Sequence, residues 1–351
     1  MTSSTFSSDD ERNDEWRRWL TICLATLATS FAALFAAVVV LDPFSTGRLT
    51  PLERVDIAVP TRPYAAVGLA RDRRFNAVII GNSHALRIDP GILTDATGMR
   101  FMQLAVYGVI PPDELLLIDA FDRAHHGQQG AFVVVLDRLW CDAQRGRSFG
   151  TELPRWLYQG SDLDYLRNLP SPLAVIGALR RVLILAGLAG PAVRADGFEP
   201  VGYSPPNRAQ LRQDMESMTR QTDAPQLGKP LPYLDDLAAH LAKLDAGASV
   251  VLVFPPVYIG FLPAPSSSAE AKVDECKDRA RQIGQLRPRT AFVDLQVDSP
   301  LARDAGNFID ATHLDDNGMA DLNSAIIGAV RGLTGMSAID ASTKAPRGDS
   351  P

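Results

Sequence analysis

The sequence predicts an α/β protein: a three-layer sandwich with a parallel sheet of about five strands, preceded by an N-terminal transmembrane helix. Three observations predict this. Short apolar runs alternate with segments of helical periodicity, the pattern of a parallel sheet covered by helices on both faces. Residues 19–41 carry no charge over 23 positions. At about 1.5 Å per residue, such a run crosses a hydrocarbon core of about 30 Å. With 351 residues, 46% of them hydrophobic, the chain can bury one substantial core.

Taken in order, residues 1–18 are polar and read as a disordered cytoplasmic tail. The anchor follows at 19–41. Trp16 and Trp19 stand where interfacial aromatics sit, and Arg17 and Arg18 keep the N-terminus cytoplasmic, although Arg48 and Arg54 follow on the other side. A single-pass inner-membrane protein results, with its domain facing the periplasm. A cleaved signal peptide is the competing reading, but the apolar run is long for one. A buried core helix would show a polar face, which this run lacks.

Residues 42–73 form a linker and lead-in containing Pro43, Gly47 and Pro51. The domain proper spans 74–333. Apolar strands are expected at 76–80, 100–106, 131–137, 250–254 and 290–295. Helices are expected at 90–98 (closed by Gly98), 111–126 (prolines in its first turn), 231–247, 269–286 and 317–333. An insertion at about 140–230 separates the third and fourth strands and carries one helical pattern at 172–190. Arg180 and Arg181 argue against a second span there. An amphipathic segment packing on the domain, or touching the membrane surface, fits better. Residues 334–351 read as a disordered tail.

The net charge of -6, with a sequence pI near 5.4 and no basic block, argues against nucleic-acid binding. Cys23 lies in the anchor. Cys141 and Cys276 would meet an oxidising compartment and could pair, though sequence alone leaves that open. No Cys/His spacing suggests a metal, and no cofactor motif is present.

In an open parallel sheet, ligands bind beyond the carboxyl ends of the strands. The loop after the first strand is Gly81-Asn82-Ser83-His84. Gly81 permits a sharp turn. A serine there exposes its hydroxyl at the sheet edge, and its N–H at a helix start would favour an oxyanion. Equally, Asn82 or Ser83 could be an ordinary helix cap. A serine nucleophile needs a base, and the base needs a carboxylate. His84 should point away from the hydroxyl, into packing or solvent. His125 and His126 end a helix, and His240 lies within one. His313 is three residues after Asp310, in the loop following the fifth strand. That spacing lets a carboxylate fix the imidazole tautomer, though it is also an Asx-turn signal, with Asp315 or Asp316 capping the last helix.

Gly81-Asn82-Ser83 after the first strand, followed far downstream by Asp310-Ala311-Thr312-His313, resembles the first and last blocks of the SGNH (GDSL-type) hydrolase superfamily. The resemblance covers about residues 74–333, excluding the insertion. It implies the flavodoxin-like SGNH hydrolase fold, a Ser83–His313–Asp310 triad, an acyl-enzyme, and no metal or cofactor. It also implies an oxyanion hole formed by the N–H groups of Ser83 and Gly108, the latter from the loop after the second strand. The superfamily's third block supplies an asparagine amide, but here that place holds Asp137 and Arg138. A carboxylate cannot donate unless protonated. Arg138 could donate, or it could bind an anionic substrate. Asn82, Asp137 and Arg138 are therefore candidate substrate-binding residues. For Trp140, packing is at least as good a reading.

With the anchor, this departure looks like the envelope-associated branch related to alginate O-acetylation factors and D-alanyl transfer proteins. The proline-containing stretch 251–261 is similar to a loop of that branch. The branch implies an extracytoplasmic esterase or O-acyltransferase acting on an acylated envelope or exported polysaccharide, beside a membrane-bound acyltransferase. The alternative is a non-catalytic module that binds polymer or that acyltransferase.

Overall fold

A computed structural model of the chain describes residues 7–50, 57–145, 151–199 and 207–335. Five strands form one parallel sheet: β1 (Ala77–Gly81), β2 (Phe101–Ala105), β3 (Ala131–Val135), β4 (Ser249–Phe254) and β5 (Thr290–Asp294). Their order is β2-β1-β3-β4-β5, and every strand begins within two residues of its expected start. β1 to β4 are buried at every position. Apart from Gln103 in β2 and Ser249 at the start of β4, they are continuous apolar runs rather than alternating ones, as strands covered on both faces should be.

Alternate strand residues feed two cores. Ala77, Ile79, Val133 and Val251 face one side, with Leu322, Ile326 and Val330. Val78, Ile80, Val134 and Leu252 face the other, with Leu117, Phe121, Leu234 and Cys276.

The helices in chain order are α1 (Ser7–Leu41), α2 (Arg62–Leu69), α3 (Pro90–Thr97) and α4 (Pro111–His125). The insertion adds α5 (Arg155–Tyr158), α6 (Asp162–Asn168), α7 (Pro172–Leu185) and α8 (Arg208–Glu216). Then come α9 (Pro232–Leu241), α10 (Ser268–Leu286), α11 (Pro300–Arg303) and α12 (Asp316–Thr334). Helices α3 and α12 pack together on the first face, while α4, α9 and α10 cover the second.

Helix starts and stops follow local chemistry. Asp89 caps α3 by accepting from Gly91 N–H, and Pro90 occupies the first turn, where its missing N–H costs nothing. Gly98 closes α3 in the left-handed region, at φ 68°. Asp315 caps α12.

Helix α1 is long and apolar enough to cross a membrane over Asn13–Leu41, and almost none of that stretch is buried. It begins at Ser7, so residues 7–18, expected as a disordered tail, continue the helix. Its last turns are not free: Val38 is buried, and Phe35, Val39 and Leu41 pack on the core. Described residues of the lead-in are also more than a linker. Phe44, Ile57, Val59 and much of α2 are buried in the same core. Residues 1–6 and 336–351, together with Pro51 and Arg54, lie outside the described residues.

Cys141 and Cys276 form a disulfide with their Cα atoms 5.4 Å apart. It ties the turn after β3 to α10, and both sulfurs lie within the core.

Candidate active site

The strand order places the switch in chain direction between β1 and β3, where the loops diverge and open sheets bind ligands. β1 ends at Gly81, paired with Ala105 of β2. A Cβ at position 81 would lie 2.8 Å from Ala85 Cβ and 3.0 Å from Val135 Cβ. Glycine thus allows the chain to fold back over the sheet edge. It does so through a three-residue 3-10 turn, Ser83–Ala85, and the α-helix starts only at Pro90. So short a turn supplies little dipole, which removes the helix-end support expected for an oxyanion. The cap of the turn is Asn82, whose side-chain carbonyl accepts from His84 N–H at 3.2 Å. Ser83 is left for other work.

Its hydroxyl lies 2.8 Å from His313 Nε2. His313 Nδ1 is 2.9 Å from each Asp310 carboxylate oxygen. The same Oδ1 accepts from the N–H of Thr312 and of His313, at 2.9 and 3.0 Å. The two sequence readings of Asp310 are therefore both satisfied: one carboxylate folds the Asx-turn and holds the imidazole. Burial alone would raise the Asp310 pKa. The His313 contact and charge and the Thr312 donors outweigh it and hold the carboxyl well below the usual range.

The turn is braced from outside. Ile309 N–H donates to His313 O at 2.8 Å, and Tyr258 N–H, from the loop after β4, donates to Ala311 O at 2.9 Å. The proline-containing stretch thus fixes the turn that carries His313.

His84 packs rather than facing solvent. Its ring stacks on His313, with centroids 4.7 Å apart and planes within 7°. Its Nε2 stands 3.9 Å from Asp137 Oδ2. Burial lowers its pKa, the Asp137 charge opposes that, and His313 adds to the lowering. Ring stacking restricts how His313 can rotate.

Asp137 follows β3 and is nearly buried. Its Oδ2 accepts from Asn82 Nδ2 at 2.6 Å, and its Oδ1 accepts from Leu139 N–H at 2.9 Å. The Asp137 carboxylate is therefore committed to positioning Asn82. Arg138 lies over the Phe261 ring at 5.7 Å. Gly108, at φ 72°, sits in the turn after β2. That turn leaves the sheet at the same edge as Ser83, because Gly81 and Ala105 are in register.

A cavity of about 280 Å³ opens beside this group, lined among others by His84, Asp137, Arg138, Asp142, Gln226 and Phe261. Asp142 was not singled out in the sequence. Burial and then the Asp137 charge raise its pKa to about 6, with Arg138 opposing. Beneath the same turn lies Glu114, fully buried with both oxygens unpartnered. Burial, reinforced by Asp137, lifts its pKa well above the carboxylate range. The Trp140 indole N–H lies near it but makes no hydrogen bond that would offset the burial. Trp140 is itself fully buried, a packing residue. Among the other histidines, His125 is buried and bonds Phe121 O and Asp72 O. His240 lies 3.3 Å from Asp119. Neither approaches Ser83. No group of metal-ligating side chains occurs among the described residues.

No family model matches the sequence, and no curated protein matches it. Two solved structures are similar in outline. One is provisionally named a platelet activating factor from Streptococcus pneumonia, with 10% identity, covering 78% of this chain and 89% of that one, at a TM-score of 0.35. The other is described as a possible lipase from Chitinophaga pinensis, with 13% identity, covering 75% of this chain and all of that one, at a TM-score of 0.36. At such scores neither likeness bears on what this chain does.

Proposed function

We propose that the protein is a membrane-anchored, extracytoplasmic serine esterase or O-acyltransferase of the SGNH type, acting on acyl esters of an envelope or exported polysaccharide. The observation that carries this reading is the unbroken chain from Ser83 Oγ through His313 to Asp310, with contacts of 2.8 and 2.9 Å.

In this mechanism Ser83 Oγ attacks the ester carbonyl while His313 Nε2 takes the hydroxyl proton. Asp310, ionised, holds the Nδ1–H tautomer and stabilises the imidazolium. The tetrahedral oxyanion draws on the N–H groups of Ser83 and Gly108. Loss of one such donor typically costs about 3 kcal/mol of barrier. Collapse breaks the ester C–O bond, and the leaving alkoxide takes the proton from His313. Water, or a sugar hydroxyl, then attacks the acyl-enzyme through the same base, and Ser83 recovers its proton. The adjoining cavity, with the Asp137 and Asp142 carboxylates and the Gln226 amide on its wall, suits a hydroxyl-rich acceptor. The partner expected in the transfer version is a membrane-bound acyltransferase supplying acyl groups.

A second reading is a non-catalytic module that binds polymer or that acyltransferase. Its support is Asp137, a carboxylate where the superfamily's third block has an amide donor, bonded away to Asn82. One experiment separates the two. A serine-directed fluorophosphonate should add one mass adduct to the folded protein at Ser83 and none to Ser83→Ala. That variant should also lose hydrolysis of p-nitrophenyl acetate by at least about 10³-fold. A folded wild-type protein that takes no adduct supports the binding module.

A further inference from the structure

Helix α7 is apolar on every face except for Arg180 and Arg181. One face is buried: Ala174, Gly177, Ala178, Arg181 and Ile184 pack on the protein. The opposite face is exposed yet equally apolar, with Ile176 at 62%, Leu179 at 64%, and Val175, Val182 and Leu183 also open. The run ends at Leu188, 76% exposed. A helix whose only charged residues are one buried and one half-buried arginine presents no polar face, and calls for apolar surroundings on both sides.

What surrounds it follows from where it is fixed. α7 packs against α1, at the end where that helix stops being exposed. Val40 is 62% exposed, whereas Asp42, Phe44 and Ser45 are buried. Arg181 reaches this point from α7, donating to Asp42 O and Ser45 Oγ at 2.8 Å each. One turn earlier, a Cβ at Gly177 would lie 2.8 Å from Val59 Cγ2 and 2.9 Å from Pro43 Cβ, so the two segments are in close contact. Arg181 is thereby used as an internal clamp, and the outward face keeps only apolar side chains and the half-buried Arg180. At 14 residues, or about 21 Å, α7 is too short to span a bilayer of about 30 Å.

We propose that the exposed face of α7, with the loop to Leu188, is immersed in the surface of the bilayer that α1 crosses. The domain is then held by two elements clamped together, so it cannot swing freely on a single tether. Anchored in this way, it keeps one fixed face toward the lipid.

The test uses the full chain at one copy per phosphatidylcholine–phosphatidylglycerol nanodisc. On a Cys23→Ser background, Leu183→Cys or Leu286→Cys is labelled with the environment-sensitive dye NBD. Leu286 is exposed at the end of α10 and serves as the aqueous reference. At position 183 the dye should be blue-shifted, quenched by nitroxide lipids and shielded from iodide at least threefold relative to 286. Equal iodide quenching at the two sites would overturn the proposal. So would shielding that appears only at two copies per disc, which would mean a second copy covers the face. In a second variant, Leu179→Asp with Leu183→Asp, both sites are exposed and the fold should persist. Dye at Leu188→Cys should then become more accessible to iodide, and unchanged shielding would count against lipid contact.

Discussion

At the level of single residues, the site depends on side chains whose partners are remote in sequence. Ser83 and His313 are 230 positions apart, yet both leave the sheet at one edge. That much was legible, because a Gly-Asn-Ser turn and an Asp-x-x-His turn each follow an apolar strand. The Asn82–Asp137 hydrogen bond, the buried Glu114 and the raised Asp142 were not. Glu114 reads as an ordinary acid in the first turn of a helix, and only the packing of the turn after β3 buries it. Asp142 carries a testable charge effect. Its pKa of about 6 stands above the ordinary 3.8, so between those two values the native state holds a proton that the unfolded chain releases. Its contribution to stability is complete below about 3.9 and is lost as pH rises through about 6. Asp142→Asn removes that loss. Relative to wild type, the variant should gain on the order of 1 kcal/mol between pH 4 and pH 7.5, the shift being discounted for partial solvent screening. Urea denaturation at the two pH values measures it. Parallel behaviour of the two proteins would mean that Asp142 ionises normally.

At the level of elements, all five strands and the main helices of the sandwich could be read from the sequence within two residues, except that α9 stops at Leu241 where the helix was expected to run to 247. Buried parallel strands are continuous apolar runs, and capped helices carry Asp, Ser, Pro and Gly at fixed places. In the insertion only α7 could be read in this way, from the helical pattern at 172–190; the rest of it and the lead-in could not. Their order comes from contacts such as Tyr158 OH to Pro63 O at 2.6 Å, which no periodicity encodes. The disulfide shows the same limit: spacing left the pairing of Cys141 and Cys276 open, and the fold closes it. It spans a sequence separation of 135, so reduction releases a long loop in the unfolded state. Cys141→Ser with Cys276→Ser should lower stability by about 2–5 kcal/mol. Thermal unfolding in nanodiscs should then show a midpoint lower by roughly 5–15 °C. A shift under about 2 °C would mean that core packing at α10 carries the junction without the bond.

At the level of the whole molecule, two independent features predict the same side of the membrane for the domain. Arg17 and Arg18 precede the apolar run of α1, which favours a cytoplasmic N-terminus. The disulfide lies in the domain beyond that run, and structural disulfides persist where the compartment is oxidising. The charge rule concerns insertion and the disulfide concerns redox chemistry, so agreement between them is not built in. Together they predict that the domain faces away from the cytoplasm, within reach of an exported polymer. In spheroplasts, protease added outside should degrade the domain and leave only a fragment containing α1. Thiol alkylation before lysis should find Cys141 and Cys276 blocked as the disulfide. Alkaline carbonate should leave the full chain in the membrane fraction, because α1 is held by its apolar length rather than by charge. A domain protected until the membrane is permeabilised, with both thiols free, would reverse the orientation. It would also remove the polysaccharide from the candidate substrates, leaving a cytoplasmic ester for the Ser83 site.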